Sequence, residues 1–273
     1  WYSENKKDKA YKNDYYINKD GELKVNLEKR GDILRNNIFG VDIDKEATEV
    51  AIMSLYLKML DDGFDKGERD LFFIKGHVLP DMTNNVKCGN SLIDRESLLT
   101  NNMFGDADIN PFDWNIEFPF NFDVIIGNPP YIRIQEMKAW APKTVEIYGN
   151  IYKSGGQKNY DIYVLFIEKI LSLLNTDGIS GYILPNKFMQ QEYGEVIRQV
   201  LAEKRHVQRI VNFKDFQVFT GATTYTCLLF LTKNSNEKFE YAECSNEILD
   251  CSFEELDADH ITKEPWVLHN LDD

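Results

Sequence analysis

Short apolar blocks and longer stretches of helical spacing take turns along this chain. Ile38–Ile43, Val86–Cys88, Phe122–Ile126, Ile179–Leu184, Val207–Asn212 and Thr224–Thr232 are blocks of apolar and β-branched residues, as buried strands are. Between them, Leu27–Asn37, the segment after Asp44, Tyr160–Leu174 and Gln191–Glu203 predict helices. In Tyr160–Leu174, residues Ile162, Leu165, Phe166, Ile170, Leu173 and Leu174 fall on one stripe. Asp44 predicts an N-cap, with Ala47, Val50, Ala51, Ser54, Leu55 and Leu57 turned to a sheet. Trp140–Asn159 contains Pro142, Gly149, Gly155 and Gly156 and predicts a long loop with some local structure, mobile on its own. Strands alternating with helices predict an α/β fold on a mostly parallel sheet, with the late strand Thr224–Thr232 antiparallel. Such sheets bind ligands at the carboxyl ends of their strands, and Asp42, Asn90 and Asn128 stand at such ends. The polar segment 1–37 leads into a core over 38–233, and the acidic segment 234–273 reads as a linker into something further.

Composition narrows this picture. The 273 residues are 43% hydrophobic, enough for one large domain or one domain and part of another. No apolar run reaches the roughly 20 residues that span a bilayer. The polar start, Trp1 to Lys12, does not read as a signal peptide. Cys88, Cys227, Cys244 and Cys251 form no Cys-x-x-Cys pair and the histidines are scattered. Neither a zinc site nor a disulfide framework is expected, and a reducing cytoplasm fits. The net charge of -14 counts against nucleic-acid binding by bulk electrostatics. The charge is uneven, however. Between Tyr131 and Asn159 stand Arg133, Lys138, Lys143, Lys153 and Lys158 against only Glu136 and Glu146.

The sharpest chemical signal is Asn128-Pro129-Pro130-Tyr131, directly after the strand FDVIIG. Four such residues can be a rigid turn and nothing more. They also suit one task. An exocyclic amine on an aromatic ring is a poor nucleophile because its lone pair is delocalised. The Asn128 side-chain oxygen can accept one N–H and the Pro129 carbonyl the other, with consecutive prolines fixing that backbone. Two acceptors so placed favour a pyramidal nitrogen with its lone pair free. Tyr131 offers a face on which a flipped base can stack.

On these residues the chain resembles the TaqI-like adenine-N6 DNA methyltransferases, and the large fused restriction-modification methylases related to them. The resemblance runs from about Ile33 to Lys233 and includes IFGVDIDKEATEVA, CGNSLID, FDVIIGNPPYIRIQ, YDIYVLFIEKILSLLNTDG, GYILPNKFM and FTGATTYT. It implies a Rossmann-like methyltransferase fold with cofactor motifs first, catalytic motifs next and a DNA-recognition domain last, beginning in 234–273. It implies S-adenosylmethionine as methyl donor, no metal, a flipped adenine in double-stranded DNA as substrate, and a bacterial or archaeal cytoplasm. Nuclease or specificity regions in the same longer chain go with it, as does a role in restriction-modification or phage defence.

By the same resemblance, Asn128, Pro129, Pro130 and Tyr131 are the catalytic motif, and Phe219 stacks on the flipped base opposite Tyr131. Asp42 bonds the cofactor ribose hydroxyls, Ile43 packs on the cofactor adenine, and Asn90 accepts from the adenine amine where relatives often carry an acid. Arg133, Lys143, Lys153 and Lys158 are candidate DNA contacts. Lys187, in PNKF, reads as a solvated lysine or a phosphate contact. His77 and His206 read as structural. One departure stands out: relatives carry a Gly-rich loop after their first strand, and none lies upstream of Asp42. That predicts a chain lacking its first strand, with weak cofactor binding alone. Three alternatives stay open at this point. They are methylation of a protein glutamine, which poses the same lone-pair problem, methylation of adenine in RNA, and a degenerate fold serving as a specificity or assembly subunit.

Overall fold

The computed structural model describes residues 14–18, 20–61, 79–101, 109–157, 159–214, 216–218, 224–244 and 251–268. They fall into two compact units, one of Trp1–Ser91 with Asn110–Phe112, the other of Leu92–Ile109 with Asp113–Asp273.

The first unit opens with the antiparallel hairpin β1 (Tyr15–Ile17) and β2 (Leu23–Val25). Helix α1 (Leu27–Asn37) follows, capped by Asn26, whose side chain accepts from the Lys29 amide at 2.7 Å. Strand β3 (Gly40–Asp42) is shorter than the predicted Ile38–Ile43. Ile38 closes α1, donating its N–H to the Leu34 carbonyl at 3.1 Å, and so cannot also start the strand. Asp44 is the N-cap of α2 (Lys45–Leu60), accepting from the amides of Glu46 at 2.8 Å and Ala47 at 3.3 Å. The expected buried face of α2 is not the observed one. Thr48 and Met59 are buried, while Val50 and Leu57 are exposed. Strand β4 (Val86–Cys88) runs parallel to β3, with Asp42 opposite Cys88.

The second unit contains α3 (Arg95–Thr100), α4 (Trp114–Glu117), β5 (Phe122–Gly127), α5 (Ile134–Trp140), α6 (Pro142–Ile151), α7 (Tyr163–Leu173) and β6 (Leu174–Pro185). It continues with α8 (Glu195–Glu203), β7 (Val207–Asn212), β8 (Thr226–Thr232), β9 (Lys238–Glu243) and β10 (Glu254–Asp257). Its six-stranded sheet has the order β10-β9-β7-β8-β6-β5. Strands β5, β6, β7 and β9 share one direction, and β8 is antiparallel to both its neighbours, as expected. The edge strand β10 is a second antiparallel strand that the sequence pattern did not suggest. The segment 234–273, expected as a linker into a further domain, contributes β9 and β10 to this sheet in its described residues.

Helix α7 lies at the centre of the core. Tyr163, Val164, Leu165 and Ile167 are fully enclosed, each of the aliphatic ones worth about 1.5–3 kcal/mol of burial. The predicted long loop at Trp140–Asn159 is mostly helix. Pro142 takes the first position of α6, where its missing N–H costs nothing, and Thr144, Ile147 and Tyr148 are buried at helical spacing. One of the segment's glycines, Gly155, marks close packing. A Cβ on Gly155 would stand 2.1 Å from the Tyr148 carbonyl oxygen. Cys244 and Cys251 form a disulfide with Cα atoms 5.5 Å apart, a pairing that the spacing of the cysteines did not announce.

Candidate active site

In the second unit, Asn128 follows β5 directly, at the edge where β5, β6, β7 and β9 all end. Two features bring the chain out of β5 at this point. Gly127 lies opposite Tyr182 on β6, and a Cβ there would come within 2.8 Å of the Tyr182 ring, so glycine lets the strand pass under that ring. Pro129 and Pro130 then forbid further ladder hydrogen bonds. Asn128 is exposed, and its amide makes no hydrogen bond among the described residues. Pro129 is buried, Pro130 exposed and Tyr131 half-buried.

The loop is fixed from three sides. Ile162 N–H donates to the Ile132 carbonyl and Ile134 N–H to the Tyr160 carbonyl, both at 2.9 Å, which pairs Arg133 with Asp161 in a short antiparallel bridge. The Tyr131 hydroxyl donates to the Ile183 carbonyl on β6 at 3.2 Å. Its ring abuts Tyr163, whose hydroxyl lies 2.8 Å from that of Tyr193. Burial, with a smaller contribution from Cys227, pushes the Tyr131 phenol up to about 12, so it stays protonated and can keep donating. Asp161, Tyr163 and Tyr193 were not singled out by sequence reasoning. The segment YDIY carries the first two, but its apolar stripe reads only as helix core, and Tyr193 stands 30 residues further on in QEYG.

The remaining candidates divide. Arg133 is exposed and caps α5, and Lys143 sits in the first turn of α6. Lys153 Nζ stands 3.8 Å from a Glu203 carboxylate oxygen. Lys158 and Phe219 lie outside the described residues, as does His77. His206 is buried, with Nδ1 2.8 Å from the Thr232 carbonyl.

In the first unit, Asp42 ends β3 with an exposed side chain. One carboxylate oxygen accepts from the Asp44 amide at 2.8 Å, which holds the group at the strand end, and the other makes no hydrogen bond among the described residues. The next residue, Ile43, is 61% exposed, an unusual state for an isoleucine beside a strand. Asn90, two residues past β4, is buried, and its backbone pairs with Asn110 and Pro111. Each strand end of this unit thus presents a polar side chain, one open and one enclosed.

Residues 36–219 match the Eco57I restriction-modification methylase family. The chain is 37% identical over 241 residues to the type II restriction enzyme and methyltransferase RM.Eco57I of Escherichia coli, covering 84% of this chain and 23% of that protein. It is 28% identical over 223 residues to the type II methyltransferase M.BanIII of Aneurinibacillus aneurinilyticus, covering 80% of this chain and 32% of that one. It therefore spans no more than a third of either relative's length. Among solved structures, the DrdV–DNA complex superposes with a TM-score of 0.58 at 16% identity, over 89% of this chain and 26% of that one. A nuclease-deletion mutant of the type ISP restriction-modification enzyme LlaGI, in complex with a DNA substrate mimic, gives 0.57 at 16% identity, over 89% and 22%. These two show that the fold is the α/β fold of restriction-modification methyltransferases. The chain belongs to the Eco57I restriction-modification methylase family.

Proposed function

We propose that this chain is the catalytic part of a site-specific DNA methyltransferase that methylates the N6 amine of an adenine rotated out of the duplex. The observation that carries the reading is Asn128: exposed at a strand's carboxyl end, its amide unspent, beside a proline-fixed carbonyl and a half-buried tyrosine. Asn128 Oδ1 and the Pro129 carbonyl accept the two N–H bonds of the amine and orient its lone pair. Tyr131 stacks on the base, and Phe219 is its partner across the ring. Because both acceptors are neutral and already in place, they need no reorganisation as charge develops on the nitrogen.

S-adenosylmethionine, when bound, supplies an electrophilic methyl group on a sulfonium. The first unit has acceptor and contact groups that fit its adenosine half. Asp42 has an exposed carboxylate for ribose hydroxyls, and Ile43 an exposed apolar side chain for the face of the adenine. Asn90 serves as an acceptor for the adenine amine. No metal takes part in this scheme.

The partner is double-stranded DNA, in a bacterial or archaeal cytoplasm and within a restriction-modification protein that carries further nuclease or specificity regions. Arg133, Lys143, Lys153 and Lys158 are its candidate contacts. The catalytic core is placed at 38–233. The DNA-recognition part is proposed to begin within 234–273, whose described residues include β9 and β10. The test is product identity. The full protein is incubated with labelled methyl donor and duplex DNA, and the DNA is digested to nucleosides. N6-methyl-2′-deoxyadenosine supports the reading. Label in N4-methylcytosine, in RNA or in a protein glutamine overturns it.

A further inference from the structure

The chain has 45 acidic against 31 basic residues. Many of the exposed cations among the described residues are already paired, as Lys153 is with Glu203, Lys214 with Glu243, and Arg205 with both Glu237 and Asp259. Arg133 and Lys187 differ. Both are exposed, and neither makes an ion pair among the described residues. Both also stand at the catalytic edge of the sheet. Arg133 is two residues past Tyr131, and Lys187 two residues past the end of β6, the strand beside β5.

A single carboxylate lies under their joint influence. The Asp161 backbone is bridged to Arg133, and its side chain accepts from the Tyr193 hydroxyl at 3.4 Å. Burial pushes the Asp161 carboxyl up, while the charges of Lys187 and Arg133 and the Tyr193 hydrogen bond pull it back and Glu136 adds to the rise. Two exposed cations that make no ion pair among the described residues thus stand at the Asn128 edge of the sheet, in a chain whose overall field is negative. Lys187 also lines a cavity of about 450 Å³, of mixed polar and apolar lining that includes Asn186, Asn212, Glu243 and Trp266.

We propose that Arg133 and Lys187 form a binding site for a backbone phosphodiester of the DNA strand that carries the target base, beside the half-buried Asp161 carboxylate. This rests on the reading of the chain as a DNA methyltransferase. The phosphate supplies the ion pair that neither cation makes among the described residues. Arg133 follows the base-holding loop directly, so a phosphate seated there sets the register of the nucleotide that enters the loop. The acidic composition is then no obstacle to binding, since few but well-placed cations do the positioning.

The experiment measures DNA affinity of the full protein against salt concentration for wild type, Arg133→Gln, Lys187→Gln, Asp161→Asn and Lys204→Gln. Lys204 closes α8, ahead of β7, and so lies at the opposite edge of the sheet. Circular dichroism and melting confirm that each variant is folded. Arg133→Gln and Lys187→Gln should each weaken binding several-fold and lower the slope of log affinity against log salt by about 1. Lys204→Gln should change neither, and Asp161→Asn should bind more tightly than wild type. Wild-type affinity and slope in the first two variants, an equal loss in Lys204→Gln, or weaker binding by Asp161→Asn would overturn the proposal. So would inorganic phosphate competing for the pair while the slopes stay unchanged, because that assigns it to free phosphate. A wild-type protein that binds no DNA at all would instead remove the methyltransferase reading, and this proposal with it.

Discussion

The ring of Tyr131 meets the ring of Tyr163 edge-on, with centroids 6.4 Å apart and planes at 78°. Tyr163 in turn meets Phe188 at 6.3 Å, and Phe188 meets Trp266 at 5.4 Å. An aromatic chain thus runs from the candidate catalytic loop through α7 to the last described segment. Edge-to-face pairs of this kind add about 0.5–1.5 kcal/mol each beyond burial. Tyr131 is held from one side by this chain and tethered through its hydroxyl to Ile183.

Tyr131→Phe keeps the ring and loses the tether. A neutral hydrogen bond of this kind is worth about 0.5–1.5 kcal/mol, so melting should fall by a few degrees and turnover should drop only several-fold. Tyr131→Ala loses the stacking face, worth about 1–3 kcal/mol per base, and should depopulate the flipped state. A fluorescent adenine analogue at the target position reads this directly. Equal flipping in Tyr131→Ala and wild type would take the base off this ring.

Gly155→Ala should be costly and Gly156→Ala nearly neutral, although the two are neighbours. The new Cβ at Gly155 meets the Tyr148 carbonyl oxygen at 2.1 Å, whereas at Gly156 nothing lies within 4 Å. Overpacking against backbone typically costs about 1–3 kcal/mol. Urea unfolding of both variants checks this, and equal midpoints would mean that Gly155 is not packed against α6 in solution.

Much of the second unit was legible because its strands are strongly apolar. Val207–Asn212 matches its predicted bounds, and Thr226–Thr232 and Phe122–Gly127 differ by one or two residues at an end. Asn128 fell at its strand end because Gly-Asn-Pro-Pro is a strong terminator. What stayed hidden depends on tertiary contact. Glycines at 149, 155 and 156 look like a loop until Tyr148 is seen pressed against Gly155. Lys238–Glu243 and Glu254–Asp257 are too charged to read as strands, yet pairing with β7 and with each other makes them so. Asp161 and Tyr193 support the loop from 32 residues apart, and no local pattern joins them.

Acid should weaken the fold through His206. Burial lowers its pKa from the ordinary 6.5, outweighing the Thr232 carbonyl that raises it, and Lys204 lowers it further. The folded protein therefore binds this proton less readily than the unfolded chain. The stability that the neutral ring contributes is complete above about pH 6.5 and is lost as pH falls through the lowered folded value. Melting temperatures between pH 8 and pH 5 should drop in wild type, and the drop should shrink by a few degrees in His206→Gln. Parallel curves for the two proteins would show that His206 titrates alike in both states.

Asn128→Ala separates the chemistry from everything else in the molecule. The amide is exposed and makes no hydrogen bond among the described residues, so its loss leaves the fold intact, and melting should stay within about 1 °C of wild type. On the proposed mechanism it removes one of two acceptors on the reacting amine. The rate of methyl transfer at saturation should fall by on the order of a hundredfold or more. Cofactor affinity, read by calorimetry, should not change, because Asn128 acts on the amine alone. Asp42→Ala should show the reverse split. On the proposed reading its carboxylate serves the cofactor ribose, so the cofactor KM should rise while the saturated rate falls less. Asn128→Asp keeps an oxygen at the same place but makes it charged, and should recover part of the lost rate. If Asn128→Ala turns over adenine-containing DNA at a near-normal rate, the strand-end acceptor pair is not the catalytic device. The exposed amide would then be a turn asparagine, and the scaffold and glutamine readings would move ahead.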